Sequence, residues 1–372
     1  MEKVAIVGAS LSGLAAARAL RRQSFSGEII LIGAERRHPY DRPPLSKDFL
    51  TGACTETDLA LDGEDLGIDW RLGVTATRLD PRGRSVHLGD GTEIRADGVV
   101  IATGARARKL GRARTLRTLD DAIALREDLR RRPTVVIIGA GFIGAEVASS
   151  ARSLGCDVTV VEALDTPLAG PLGPEMGAVC AGLHGDHGVR LRTGVPVRGL
   201  TGSDRVEAVE LADGTRLPAD VVVAGIGAVP DVEWLDGSGL AVAGGVVTDA
   251  YGATSLPTVV ATGDCAVAAG VRNEHWSHAM DHPATAVATL LGGTPPPARQ
   301  PWFWSDQYGV RIQFAGRREP GDAVRIVEGD PEQRDFLAVY ERDGHPVAVL
   351  GMNRPKSFTR WRRQVRAVPQ EA

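Results

Sequence analysis

The chain has 372 residues, 43% of them hydrophobic and 24% charged, with a formal net charge of −4. That composition suits a folded globular protein and excludes a disordered chain, and the slightly acidic balance argues against a general nucleic-acid binder. No apolar run reaches the roughly 18 residues that a membrane-spanning helix needs. The first residues pass straight into a strand pattern with no basic leader, so a cytoplasmic protein without membrane or nucleic-acid partners is expected.

In chain order, "VAIVGASLSGLAAARAL" from Val4 reads as a strand, a glycine turn and a helix over Leu11–Arg22. Further apolar runs that end in glycine or an acid follow at 29–33, 99–104, 135–139, 158–162, 221–227 and 259–264. Near-continuous β-branched runs of this kind suit parallel strands buried on both faces. "VVIIGAGFIGAEVAS" from Val135 repeats the opening, with a helix from Phe142 to Leu154. "LGDGTEIRADGVVIATGA" (88–105) is echoed by "LADGTRLPADVVVAGIGA" (211–228), so two similar units are expected, one inserted in the other. From about Trp302 the texture changes to alternating apolar and polar residues, with a "DG" turn in "DFLAVYERDGHPVAVLGM" and a basic tail. The expected architecture is α/β, with two doubly wound, Rossmann-like nucleotide-binding units of the glutathione-reductase kind and a small α+β unit. The expected division is 1–115 with 245–315, then 116–244, and last 316–372.

The two glycine turns carry the first chemistry. In a dinucleotide-binding turn the first glycine permits a tight bend, the second lets backbone approach a pyrophosphate, and the third lets helix pack on strand. The second copy has all three, Gly139, Gly141 and Gly144; the first has Gly8 and Gly13 but Ser10 in the middle place. An acid about 20 residues on accepts from a ribose hydroxyl, and Glu35 and Glu162 stand at those places. No arginine follows Glu162 at once, which favours NADH over NADPH.

Lysine occurs at only four positions, 3, 47, 109 and 356, which makes the proline-flanked Lys47 conspicuous. The four cysteines, at 54, 156, 180 and 265, form no close pair, so neither a dithiol centre nor a cysteine-ligated cluster is expected. His275, His278 and His282 have helix-compatible spacing but lack a carboxylate or thiolate partner set, and no metal site is assigned. Trp302 and Trp304, two apart, share a face if their segment is extended; one is expected in the core and the other, Trp304, over the cofactor or on the electron exit.

"PYDRPPLSKDFL", "VVATGDCA", "PWFWSDQYG" and "NRPKSF" occur in one order across nearly the whole chain. Together they resemble the FAD-dependent, NADH-linked ferredoxin reductases of bacterial monooxygenase and Rieske dioxygenase systems. The resemblance implies a tightly but non-covalently bound FAD on the first turn (Gly8, Ser10, Ser12, Gly13), with Glu35 near its adenosine ribose. It further implies FAD contacts from Arg42, Lys47, Ala76, Thr103, Gly104 and Arg117, and from Gly263, Asp264 and Trp276. NADH as co-substrate is implied at Gly139, Gly141, Phe142, Ile143, Gly144, Glu162 and Gly227, with Glu146 facing the nicotinamide. Lys47, Glu146 and Trp304 are the candidate catalytic residues. A positive charge at Lys47 would stabilise a reduced, anionic flavin ring. The partner implied is a small acidic [2Fe-2S] ferredoxin met by a basic face, with Arg317, Arg318, Lys356, Arg360, Arg362 and Arg363 as candidates. Two other activities stay open at this point: an NADH flavoenzyme of the monodehydroascorbate or quinone reductase type, and a slow-turnover redox-sensing FAD/NAD protein.

Overall fold

The computed structural model describes residues 1–61, 65–203, 205–268, 270–296 and 299–365. Its first sheet is parallel, in the order Val259–Ala261, Gly98–Ile101, Lys3–Val7, Glu28–Gly33, Ile68–Leu72. Alternation along Lys3–Val7 explains why the run is apolar throughout. Val4 and Ile6 pack under the helices Leu11–Arg22 and Trp276–Leu290, while Ala5 and Val7 face the opposite layer. That opposite layer is a three-stranded antiparallel sheet, Ala76–Asp80, Ser85–Leu88 and Glu93–Arg95.

The second unit repeats this plan. Its parallel sheet runs Arg190–Arg192, Asp157–Val161, Thr134–Ile138, Val221–Ala224. Val135 and Ile137 pack toward the helix Phe142–Ser153, and Val136 and Ile138 toward the antiparallel strands Val197–Thr201, Ala208–Leu211 and Arg216–Pro218. The internal repeat in the sequence is therefore a repeat of one layered unit. Val259–Ala261 pairs beside Gly98–Ile101, which returns the chain to the first sheet after the second is complete. The two units are also stitched by the antiparallel pair Ala105–Ala107 and Ala228–Pro230.

The last sheet is antiparallel, in the order Trp302–Gln307, Val310–Gly316, His345–Met352, Asp335–Arg342, Ala323–Asp330. The "DG" turn is a hairpin turn with both central residues left-handed, Asp343 at φ 50° and Gly344 at φ 73°. The helix Pro355–Arg362 lies against this sheet through Phe358. The expected division between residues 315 and 316 falls at the end of its second strand. Hydrogen bonding puts Trp302–Gln307 and Val310–Gly316 in the closing sheet instead, so residues from Trp302 onward belong together. Among the described residues no helix is long and apolar enough to cross a membrane.

Candidate active site

The two glycine turns share two positions that only glycine fits. Gly8 is left-handed (φ +121°), and a Cβ there would lie 2.0 Å from the Ala102 carbonyl oxygen; Gly139 (φ +98°) meets the Gly225 oxygen at 2.3 Å. A Cβ on Gly13 would strike the Gly8 oxygen at 1.8 Å, and one on Gly144 the Gly139 oxygen at 2.0 Å. These four positions are fixed by packing between strand and helix. The middle position is different, because a Cβ on Gly141 would meet no protein atom within 4 Å. Ser10 occupies that open place in the first turn, and its hydroxyl accepts from Arg42 Nε at 3.1 Å. The serine is tolerated because nothing in the protein opposes it.

Ser10 and Gly141 are the N-caps of 12-residue helices, and neither helix start has a side-chain cap. Their first-turn N–H groups are left for an anion. Ser12 Oγ, in the first turn of the first helix, is buried without a hydrogen-bond partner. Gly263 lies opposite, close enough that a Cβ on it would come within 2.8 Å of that hydroxyl oxygen. Both the uncapped helix and the orphaned hydroxyl suit a pyrophosphate. The turn opens on a cavity of about 950 Å³, the size of a large cofactor site.

The first unit supplies most of the cavity wall. Glu35 Oε1 is held by Arg42 at 2.6 Å, and Glu35 Oε2 accepts from the Tyr40 hydroxyl at 2.6 Å. Arg42 also donates to the Arg117 carbonyl at 2.6 Å, and Arg117 pairs with Asp264 at 2.8 Å. Thr103 donates to the Asp231 carbonyl at 2.6 Å, and Gly104 beside it is left-handed at φ 71°. Ala76 and Trp276 line the same space. The Trp276 indole is occupied by Asp41 at 2.8 Å, while the helix it begins is uncapped, so backbone N–H groups are what this end offers.

Two units meet at Lys47 and Glu146. Lys47 Nζ lies 2.7 Å from Glu146 Oε2, and the glutamate side chain is only 2% exposed. Ser46 donates to the same oxygen at 2.5 Å, and Ser305 donates to Oε1 at 2.6 Å. Phe142 and Ile143, which open the second helix, line the cavity beside this group. Phe142 stands edge-on to Phe303 with ring centroids 4.7 Å apart. Glu162 closes the other side of the second turn, where its carboxylate accepts from the N–H groups of Ala140 (2.9 Å) and Leu164 (3.0 Å). Gly227 is left-handed at φ 94° and faces open space.

Trp304 lines the cavity with its ring 5.6 Å from Trp276. Trp302 packs in the closing sheet near Phe358 and lies beneath the Arg362 guanidinium, 4.7 Å from ring to charge. Of the basic candidates, Arg317, Lys356, Arg360 and Arg363 are exposed, although Arg360 is paired with Glu328. Arg318 differs from expectation and turns inward. The helix Ala169–Asp186 is broken at Gly173 and Pro174, which leaves carbonyls in its first turn without helical partners. Arg318 donates to the carbonyls of Ala169 and Gly170, the latter at 3.2 Å.

His278 and His282 stack on each other at 4.6 Å, and His275 stacks on Phe303 at 4.7 Å. Burial lowers all three, His278 to about 3, so they stay neutral rings. Cys54 is half-buried and the other three cysteines are buried, with none of them lining the cavity. Burial pushes the Cys54 thiol up, away from reactive thiolate.

Sequence reasoning passed over Tyr40, Ser46, Ser305 and Gln307. Tyr40 binds Glu35 and Arg42 and accepts from the Leu119 N–H at 2.9 Å, so it locks the first acid in place. The signal for Ser305 and Gln307 was present: the inward positions of "WFWSDQ" read Phe, Ser, Gln, and polar residues on a buried strand face require partners.

The chain matches the pyridine nucleotide-disulphide oxidoreductase family over residues 2–283 and the reductase C-terminal family over residues 302–370. It is 40% identical to the 5,5'-dehydrodivanillate O-demethylase ferredoxin reductase subunit of a Sphingobium species, over 96% of this chain and 91% of that one. It is 36% identical to the ferredoxin–NAD(+) reductase component of the p-cumate 2,3-dioxygenase system of Pseudomonas putida, over 98% and 94%. Among solved structures it resembles that of the covalent putidaredoxin reductase–putidaredoxin complex, with a TM-score of 0.93 and 35% identity over 97% of this chain and 92% of that one. With the first glycine turn and the start of the second turn's helix on one cavity, and aromatic rings of the closing sheet beside them, the chain belongs to the pyridine nucleotide-disulphide oxidoreductase family, in its branch of FAD-dependent, NADH-linked ferredoxin reductases.

Proposed function

We propose that this protein is an NADH:ferredoxin oxidoreductase of the cytoplasm, serving a monooxygenase or dioxygenase through a [2Fe-2S] ferredoxin. The observation that carries this is the meeting of Lys47, from the first unit, with Glu146, four residues into the helix of the second turn, on the wall of one cavity. A nicotinamide entering by the second turn thereby reaches the space served by the first.

Residues of the first turn, with Glu35, Arg42, Arg117 and Asp264, hold FAD, and Gly139, Gly141, Gly144 and Glu162 hold NADH. A flavin held by these residues would supply the chemistry that joins two-electron hydride uptake to one-electron release. Lys47 provides positive charge where negative charge develops, in a site largely closed to water, where a fixed charge counts for more than in solution. Phe142 and Phe303 form an apolar edge that excludes water beside Glu146. The Glu162 carboxylate would repel a 2′-phosphate, which favours NADH. Among the described residues no thiol pair stands on the cavity wall, so electrons would pass to an external acceptor, with Trp304 at the exit. The basic residues Arg317, Lys356 and Arg363 would meet an acidic ferredoxin. The corresponding division of the chain is an FAD unit of 1–115 with the return after 245, an NADH unit of 116–244, and a closing unit from Trp302.

Anaerobic mixing with NADH should bleach the flavin rapidly, and cytochrome c reduction should be stimulated by added ferredoxin. Bleaching without stimulation by any of a panel of ferredoxins would overturn the assignment. Faster turnover of a quinone or of monodehydroascorbate would replace it with that activity, and slow bleaching would point to a redox sensor.

A further inference from the structure

Ser305 is fully buried and Gln307 is 2% exposed, and both project from the closing sheet's first strand toward Glu146. Ser305 Oγ lies 2.6 Å from Glu146 Oε1, and Gln307 Nε2 donates to Ser305 Oγ at 3.0 Å. A serine hydroxyl has one proton to give. With Gln307 donating into that oxygen, the hydroxyl proton points at Glu146 Oε1. The other carboxylate oxygen is taken by Ser46 and Lys47. Glu146 is thus gripped on one side by the first unit and on the other by the closing sheet, which otherwise contributes aromatic rings to the cavity.

We propose that Ser305, directed by Gln307, is a positioning residue that keeps the Glu146 carboxylate aligned on Lys47 during hydride delivery, which makes the closing sheet part of the NADH-side machinery. This inference rests on the oxidoreductase reading above. Loss of the serine hydrogen bond leaves one oxygen of the buried Glu146 carboxylate without its donor and free to turn away from Lys47. Few other charges face this group. Lys47 follows the short turn Pro43–Ser46 of the first unit, the first turn of the Glu146 helix carries no acid, and on the strand Asp306 points the other way into a pair with Arg311. His275, stacked on Phe303 of the same strand, is kept neutral by burial.

The test uses the full-length FAD-loaded protein with Ser305→Ala, Ser305→Thr and the near-isosteric Gln307→Met, each checked for FAD content. Stopped-flow bleaching by saturating NADH is followed against pH, and the flavin midpoint potential is measured by dye equilibration without NADH. Ser305→Ala should slow bleaching about ten-fold, the expected effect of losing one hydrogen bond to a charged acid. The NADH concentration at half-saturation should stay within a factor of about two, the flavin potential should change, and Ser305→Thr should restore wild-type behaviour. Gln307→Met should slow bleaching by less, and it serves as the deciding variant if Ser305→Ala loses FAD. In a Glu146→Gln background the serine substitution should add nothing. Unslowed bleaching in both Ser305→Ala and Gln307→Met, or an equal serine effect with and without Glu146, would overturn the proposal. If wild-type flavin is not bleached by NADH at all, the oxidoreductase reading fails first.

Discussion

Gly141→Ser copies the first glycine turn onto the second and separates the two roles of these glycines. The backbone at Gly141 is extended (φ −71°, ψ 179°), a conformation serine adopts without strain, and the new Cβ meets no protein atom within 4 Å. Folding should therefore gain. A glycine replaced at a compatible position contributes about 0.4–1 kcal/mol through the unfolded chain, and serine is the better N-cap by a few tenths. Binding should lose, because the added side chain stands where a pyrophosphate approaches the helix start. Loss of one or two charge-assisted hydrogen bonds, at about 1.5–3 kcal/mol each, raises the NADH concentration at half-saturation by roughly ten-fold to more than a hundred-fold. The assays are thermal unfolding, FAD content, and the NADH dependence of anaerobic bleaching. The expected result is an unchanged or slightly higher Tm, full FAD, and weak NADH binding. Unchanged NADH dependence, or a Tm lowered by several degrees, would refute the argument that the middle position faces ligand and not protein.

Lys47→Met leaves the buried Glu146 carboxylate without its counter-charge and should cost about 3 kcal/mol of stability. Adding Glu146→Gln should recover most of that while hydride transfer stays slow; a double variant as unstable as the single one would show that the pair is not coupled. Lys356→Glu with Arg363→Glu should raise the ferredoxin KM several-fold at low salt and flatten its salt dependence, with bleaching by NADH untouched. A salt dependence like the wild type's would place the partner elsewhere. Burial lowers His184 from 6.5 to about 4, so the unfolded chain takes up a proton first as pH falls. Stability is therefore lost from about pH 6.5 down to about pH 4, by up to about 3 kcal/mol for this residue. His275, His278 and His282 act in the same direction, so Tm measured from pH 7 to 4.5 should fall steadily, and a flat curve would contradict the burial argument.

Much of this protein was legible in the order of its residues, because the features involved are local. Parallel strands buried on both faces must be apolar along their whole length, so their runs stand out. A glycine turn between strand and helix needs its glycines at fixed spacing, so Gly8, Gly13, Gly139 and Gly144 announce themselves. The acids Glu35 and Glu162 follow from the length of one strand–helix–strand unit. What tertiary structure alone decided involves residues far apart in the chain. Lys47 and Glu146 are separated by 99 positions and Glu146 and Ser305 by 159, and only the folding of three units onto one cavity brings them within hydrogen-bond distance. The inward turn of Arg318 has the same origin, since the carbonyls it satisfies are freed by a helix break about 150 residues earlier. The serine in the first turn belongs to both accounts. Sequence marked Ser10 as a departure from the glycine pattern, and structure made it harmless to folding, because the space in front of the middle place is not filled with backbone.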